Sequence, residues 1–256
     1  MKRFRRWALI ISFALLSAAC GRKGALIYPD MLAPAPPAAV SGQQSGSAVK
    51  LQFSLPDKDL SGHSFQGVTG VKISRKISET GQKDVCQSCL ADFLLLRTLY
   101  LDHLPTETQR FGGRLILLDH DVTAGNSYSY RIVPFTADGV AGAPATLSSV
   151  RVVQPFSGPA LKVESLPTEI RLQCTMQPAA SGRLLGFNLY RSTGAGAGSF
   201  QPLNREPLKD REFVDSGLER GVKYRYSARA LVELTQGIIV ESLESSEVEG
   251  MLKDDE

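Results

Sequence analysis

The fold of this chain is decided by a stretch that is written twice. DHDVTAGNSYSYRIV (Asp119 to Val133) aligns with DSGLERGVKYRYSAR (Asp215 to Arg229) at a constant offset of 96 positions. The pairs are Asp119/Asp215, Val122/Leu218, Gly125/Gly221, Tyr128/Tyr224 and Tyr130/Tyr226. Upstream, GVKISRK (Gly70 to Lys76) echoes GFNLYRS (Gly186 to Ser192), and VKLQFSLP (Val49 to Pro56) echoes IRLQCTMQP (Ile170 to Pro178). Matched blocks in one order mark an internal duplication. Each block reads as a strand. In VKLQFSL, positions 49, 51, 53 and 55 are apolar and Lys50, Gln52 and Ser54 fall between them. YSYRIV and YRYSAR put Tyr, Tyr and then Ile132 or Ala228 on one face. Period-two alternation, with turn signals about every 8–12 residues, predicts an all-β chain of two antiparallel sandwiches. Helical periodicity and the βαβ alternation of a nucleotide-binding sheet are absent.

The repeated stretch also resembles the fibronectin type III domain. That family's hallmark is a Leu, a Gly, a Tyr six residues after the Leu, and alternating apolar residues. Here they are Leu218, Gly221, Tyr224 and Tyr226 in the second copy and Val122, Gly125, Tyr128 and Tyr130 in the first. The resemblance implies two tandem fibronectin type III/immunoglobulin-like sandwiches. It makes Tyr128 and Tyr224 structural tyrosine corners, whose hydroxyls bond back to upstream backbone. Both copies lack the family's strand B tryptophan. Phe53 and Cys174 stand in its place, and the chain's one Trp is Trp7.

Before the duplication comes a different kind of sequence. MKRFRRW carries four basic residues and no acid, and the apolar run from Ala8 to Leu16 is nine residues long. A bilayer-spanning helix needs about 20. A basic start, a short apolar centre and small residues before a break describe an export signal. Ser17, Ala18, Ala19 and Cys20 resemble the bacterial lipobox, although Leu16 lies one place earlier than that family's Leu. The resemblance implies cleavage after residue 19 and lipidation of Cys20, with palmitate among the acyl chains. Two or more chains anchor stably where one does not. An ordinary cleaved secretory signal is the alternative. Gly21, where an inner-membrane retention signal often carries Asp, implies the outer membrane, with the domains facing the periplasm. CGRKGALIYPD further resembles the start of short outer-membrane lipoproteins associated with the lipopolysaccharide translocon, through Cys20, Gly21, Lys23, Gly24, Tyr28 and Pro29. These residues are the docking candidates. A plain lipid-proximal tether is the competing reading.

Processing also changes the charge. The chain has 29 Lys plus Arg against 26 Asp plus Glu, and loss of residues 1–19 leaves 25 against 26, a net charge of −1. The basic excess belongs to the signal and implies no nucleic-acid partner. Residues 31–47, MLAPAPPAAVSGQQSGS, hold no charge and little to bury, and read as an extended linker. With Gly21 to Gly46 fully extended it would reach ~80 Å. The expected organisation is therefore a signal peptide (1–19), lipidated Cys and linker (20–46), a first sandwich (47–155), a second (156–252) and an acidic tail (253–256).

The first copy has 20 extra residues between its GVKISRK and DHD blocks, and CQSC (Cys86 to Cys89) lies among them. In an exported chain the pair tends to be oxidised. A local structural disulfide leads. An exchange-active thiol pair would want a thioredoxin-like βαβ setting, which the flanks lack, and a lone CxxC makes a poor metal site. Cys174 is left as a buried apolar thiol. His120 of Asp119-His120-Asp121 is not repeated, since the second copy reads Asp215-Ser216-Gly217, so a turn is favoured over metal or base chemistry. STGAGAGSF (Ser192 to Phe200) lacks GK[ST] and reads as a loop. FLLLRTLYL (Phe93 to Leu101) is either a buried strand or an exposed edge for a partner. No nucleophile, base and stabiliser come together, and neither cofactor nor metal is called for. The sequence thus points to a lipid-anchored, non-enzymatic binding or structural module of the envelope, with unidentified envelope proteins, translocon components among them, as partners. The alternative is a thiol–disulfide exchange protein acting through Cys86 and Cys89.

Overall fold

In the computed structural model, residues 29–78, 92–177, 181–194 and 198–254 are described. The N-terminal strands are β1 (Ala38–Ser45), β2 (Ala48–Ser54), β3 (Val68–Ser78), β4 (Leu94–Tyr100), β5 (Thr108–Phe111), β6 (Arg114–Asp119), β7 (Ser127–Thr136) and β8 (Ala145–Arg151). Then come β9 (Ala160–Ser165), β10 (Glu169–Thr175), β11 (Arg183–Thr193), β12 (Glu212–Ser216), β13 (Tyr224–Glu233), β14 (Ile239–Glu241) and β15 (Val248–Gly250). Among the described residues, short 3-10 turns run over Pro29–Leu32 and Thr235–Gly237. No helix among the described residues is long and apolar enough to cross a membrane.

The alternating blocks form the facing strands of two sandwiches. In the first, β1-β2-β6-β5 lies against β4-β3-β7-β8; in the second, β9-β10-β12 lies against β11-β13-β14, with β15 also paired to β13. Matched positions fill the two cores. Val49, Leu51 and Phe53 of β2, Val71 and Ile73 of β3, and Tyr128, Tyr130 and Ile132 of β7 make the first. Ile170, Leu172 and Cys174, then Phe187 and Leu189, then Tyr224, Tyr226 and Ala228 make the second. Burial of each large apolar side chain contributes about 1.5–3 kcal/mol. Phe53 and Cys174 are both fully buried. Burial pushes the Cys174 thiol up to about 11, which leaves it a small apolar group. The extra length of the first copy carries β4 and β5; Cys86 and Cys89 lie outside the described residues.

The expected linker needs correction. Within residues 31–47, the chain forms a bridge from Pro34 to Asp59 and then the whole of β1, so the first sandwich begins well before residue 47. Pro, Ala, Gly and Ser bring little side-chain burial, but their backbone groups can pair, and β1 runs antiparallel to β2 from Ala38 to Ser45. Small size suits this packing: a Cβ on Gly42 would lie 2.5 Å from the end of the Leu147 side chain of the opposite sheet, which would have to shift. Gly46 opens the two-residue hairpin to β2 at φ +60°, a conformation glycine adopts without strain. Gln44 is buried, and its amide donates to the Gly46 and Val153 carbonyls while accepting from the Val153 N–H, at 2.8–2.9 Å.

A test follows from Gln44. Gln44→Ala strands buried backbone groups of Val153 and should lower unfolding free energy by about 1–3 kcal/mol in urea titration. A linker position would tolerate the change with no loss.

Candidate functional site

The two sandwiches meet where strands of both enter one sheet. β14 of the second pairs in parallel with β1 of the first, at Ser45 and Glu241, which makes a continuous eight-stranded sheet β11-β13-β14-β1-β2-β6-β5, with β15 off that path. The Gly46 N–H also donates to the Glu241 carbonyl at 3.0 Å. Glu241 is only 1% exposed. A carboxylate in such a place must be fully partnered. Its partners come from both sides. Lys50 Nζ (2.8 Å) and Ser45 Oγ (2.6 Å) donate to Oε2, and Tyr190 Oη (2.8 Å) and Asn188 Nδ2 (2.7 Å) donate to Oε1. Lys50 lies 3.2 Å from the Tyr190 hydroxyl as well. Burial alone would push the Glu241 carboxyl up. The Lys50 charge and the hydrogen bonds from Lys50, Ser45 and Asn188 outweigh it and hold the carboxyl below its usual range. Burial first, and the Glu241 charge second, push the Tyr190 phenol upward, so it stays a donor.

Further contacts close the junction. Gln109 of β5 donates to the Gly198 carbonyl and accepts from the Phe200 N–H, each at 2.7 Å, so the loop after β11 is held by the first sandwich. In the connection between the sandwiches, the Phe156 carbonyl accepts from Leu243 N–H at 2.8 Å, and a Cβ on Gly158 would lie 2.4 Å from the Glu244 carbonyl.

Beside Glu241 opens a polar cleft of about 260 Å³, lined by Ser45, Lys50 and His120 on one side and Tyr190, Arg225 and Arg229 on the other. Its cations face carboxylates: Lys50 with Glu241 at 2.8 Å, Arg229 with Glu244 at 2.9 Å, Arg225 with Glu247 at 3.5 Å. Ser45 and Ser227 donate to Glu241 and Glu244. These hydroxyls serve carboxylates that are already ion-paired. Elsewhere, Ser61 lies 2.7 Å from His63 Nδ1 but donates to Asp59 at 2.6 Å, and Asp59 also accepts the Ser61 and His63 N–H groups. That is a carboxylate-capped turn. A hydrolytic triad would instead need the Asp on the far nitrogen of the His.

The duplicated residues build the same cluster twice. Tyr130 and Tyr226 donate to Asp119 and Asp215 at 2.9 and 2.8 Å. Arg75 reaches both oxygens of Asp119 at 3.0 and 2.8 Å, and Arg191 both oxygens of Asp215 at 2.9 Å. Each guanidinium lies over a tyrosine ring, Arg75 over Tyr128 at 5.4 Å and Arg191 over Tyr224 at 5.5 Å. The hydroxyls of those rings accept upstream N–H groups, Tyr128 from Thr123 at 2.7 Å and Tyr224 from Glu219 at 2.9 Å. Asp119 thus closes the edge of the sandwich, and His120 beside it is exposed.

Of the other sequence candidates, Cys20, Gly21, Lys23, Gly24 and Tyr28 lie outside the described residues, and Pro29 opens the first 3-10 turn. The stretch from Phe93 to Leu101 forms β4 at the edge of its sheet. Leu99 faces the core, and Leu94 and Leu95 are 73% and 62% exposed. A bulge opposite Ile73 and Ser74 breaks the alternation. Glu241 was not legible as a site, since nothing near it in GIIVESLES repeats or pairs. Arg75 and Arg191 could have been found, because they share a place in GVKISRK and GFNLYRS.

The strand orders and twin cores define the chain as tandem fibronectin type III-like β-sandwiches. No family model matches it. Among solved structures it is similar to the FN1-FN3 domains of chicken CNTN1, at 13% identity over 86% of this chain and 69% of that one, with a TM-score of 0.32.

Lys50→Met tests the junction. It leaves Glu241 buried without its cation and should cost about 3–5 kcal/mol at pH 7. The native carboxyl is depressed, so its stabilisation is present above the unfolded value of about 4.3 and is lost as pH falls through the folded one. In the variant the carboxyl is raised and takes up a proton, so the deficit should shrink between pH 7 and pH 4.5 in paired urea titrations. A deficit constant across that range would contradict the assignment.

Proposed function

We propose that the chain is a lipid-anchored protein of the bacterial envelope that works as a non-enzymatic binding and spacing module. The observation that carries the binding role is strand β4. It lies at an edge of the first sandwich, no strand among the described residues pairs with its outer side, and it offers Leu94, Leu95 and Tyr100 to solvent. An edge of this kind can accept an extended segment of another protein by backbone pairing, with apolar side chains giving selectivity. The spacing role is supported by the junction at Glu241, where strands of both sandwiches pair in one sheet. The anchor is Cys20, and the outer membrane, periplasmic side, is the expected site. Components of the lipopolysaccharide translocon are the first partners to seek, from the resemblance of CGRKGALIYPD.

Anchoring and docking separate in one experiment. Cells expressing the tagged chain take up labelled palmitate, and Cys20→Ala should abolish the label and move the protein from the membrane to the soluble fraction. Beside it, a chain with residues 21–28 replaced by Gly/Ser keeps the label. Crosslinked translocon components present with the native chain and lost with this variant support docking through that stretch. The same partners with both chains would move the binding role wholly to surfaces such as β4.

A further inference from the structure

The ordered start of the first sandwich shortens the tether that the sequence suggested. Between Cys20 and the turn at Pro29 lie only the eight residues Gly21 to Tyr28. Fully extended they span at most about 29 Å. Strand β7, with ten residues, is by itself about 33 Å long. The point at which the sandwich is entered therefore stays within about 29 Å of the surface that holds Cys20, so the entry end can reach that surface.

The end at which the chain enters is built from loops that converge on Ala33 and Pro34. Ser61 N–H donates to the Met31 carbonyl, Leu60 N–H to Ala33 and Ala143 N–H to Pro34, at 2.9–3.0 Å. Pro34 also bridges to Asp59, and Gly142 lies so close that a Cβ would meet the Pro34 carbonyl at 2.6 Å. This ties together the entry segment, the β2–β3 loop and the β7–β8 turn. Each presents large apolar side chains outward. Met31, Leu32, Leu60 and Val140 are 36–53% exposed. The same loops also expose Asp57, Lys58 and Asp138, and the apolar side chains on the three converging segments stand among these charges as a contact surface of mixed character.

We infer that this end of the first sandwich is a lipid-contact surface, seated through Met31, Leu32, Leu60 and Val140 on the bilayer that carries the Cys20 acyl chains. The inference rests on the anchoring reading and extends it, from a domain on a leash to a domain with a fixed face toward lipid. Interfacial seating adds a second membrane signal to acylation. Arg22 and Lys23 stand in the short tether, where cations are drawn to anionic headgroups. The second sandwich, joined through the Ser45–Glu241 pairing at the opposite end of β1 and β2, is then carried away from the bilayer.

Loss of Trp7 with the signal leaves the mature chain without tryptophan, so single reporters can be placed. Leu60→Trp and Val140→Trp put one at the proposed contact. Val214→Trp, on exposed β12 of the second sandwich, is the reference. Each full-length chain is checked for acylation of Cys20 by intact mass and for a native-like melting temperature. It is then reconstituted in phosphatidylethanolamine/phosphatidylglycerol vesicles with brominated acyl chains. Quenching of Leu60→Trp and Val140→Trp should exceed that of Val214→Trp by threefold or more, with blue-shifted emission. Equal, weak quenching of all three in an acylated chain, which is what a second copy or a protein partner covering this end would give, overturns the lipid contact and leaves the anchor standing. A chain with no acyl group on Cys20 overturns the anchor and the lipid contact with it.

Discussion

The arrangement of this protein depends on one buried carboxylate. Glu241 is withdrawn from water at the only point where β14 and β1 pair, and four donors converge on its two oxygens. Ser45 and Lys50 come from the first sandwich, Asn188 and Tyr190 from the second. A buried ion pair is weak evidence for stability in itself, because desolvation cancels much of the attraction. Its effect here is on geometry. Separating the sandwiches would strip the carboxylate of Ser45 and Lys50, half of its four donors, and leave water to replace them. The low-energy arrangement is therefore the one in which both modules share a sheet.

Within each sandwich, a second charged group does a related task. Asp119 and Asp215 each gather an arginine and a tyrosine hydroxyl at the edge of the core, and the arginine then covers the corner tyrosine. Burial and the neighbouring aspartate push the Tyr130 and Tyr226 phenols upward, so they donate throughout the ordinary pH range. The same physical solution, retained in both copies, explains why Asp, Tyr and Tyr are the residues by which the duplication can be recognised.

The two sandwiches were legible because core positions carry alternation, which survives duplication even where Phe53 has become Cys174. The tyrosine corners were legible for the same reason. Strand β1 was hidden because its stabilisation comes from backbone pairing and from Gln44, and Pro, Ala, Gly and Ser leave no apolar pattern to read. The junction was hidden because it depends on partners far apart in sequence: Lys50 and Glu241 are 191 positions apart and lie in different copies. Period-two patterns report which face of a strand is buried. They do not report which strand of another module completes its sheet. Consecutive exposed leucines in β4 were ambiguous because a bulge, which alternation does not encode, decides their side.

With the two sandwiches sharing one sheet, the ends of the molecule acquire separate roles. The chain enters at one end of the first sandwich, the loops around Pro34 gather there, and the second sandwich extends from the other end. The central claim is that Glu241 makes the two sandwiches one body, and residual dipolar couplings measure this most directly. Amide couplings from β2, β3 and β7 and from β10, β11 and β13 should fit a single alignment tensor oriented as the shared sheet requires. Two tensors of different magnitude, one for each sandwich, would contradict it.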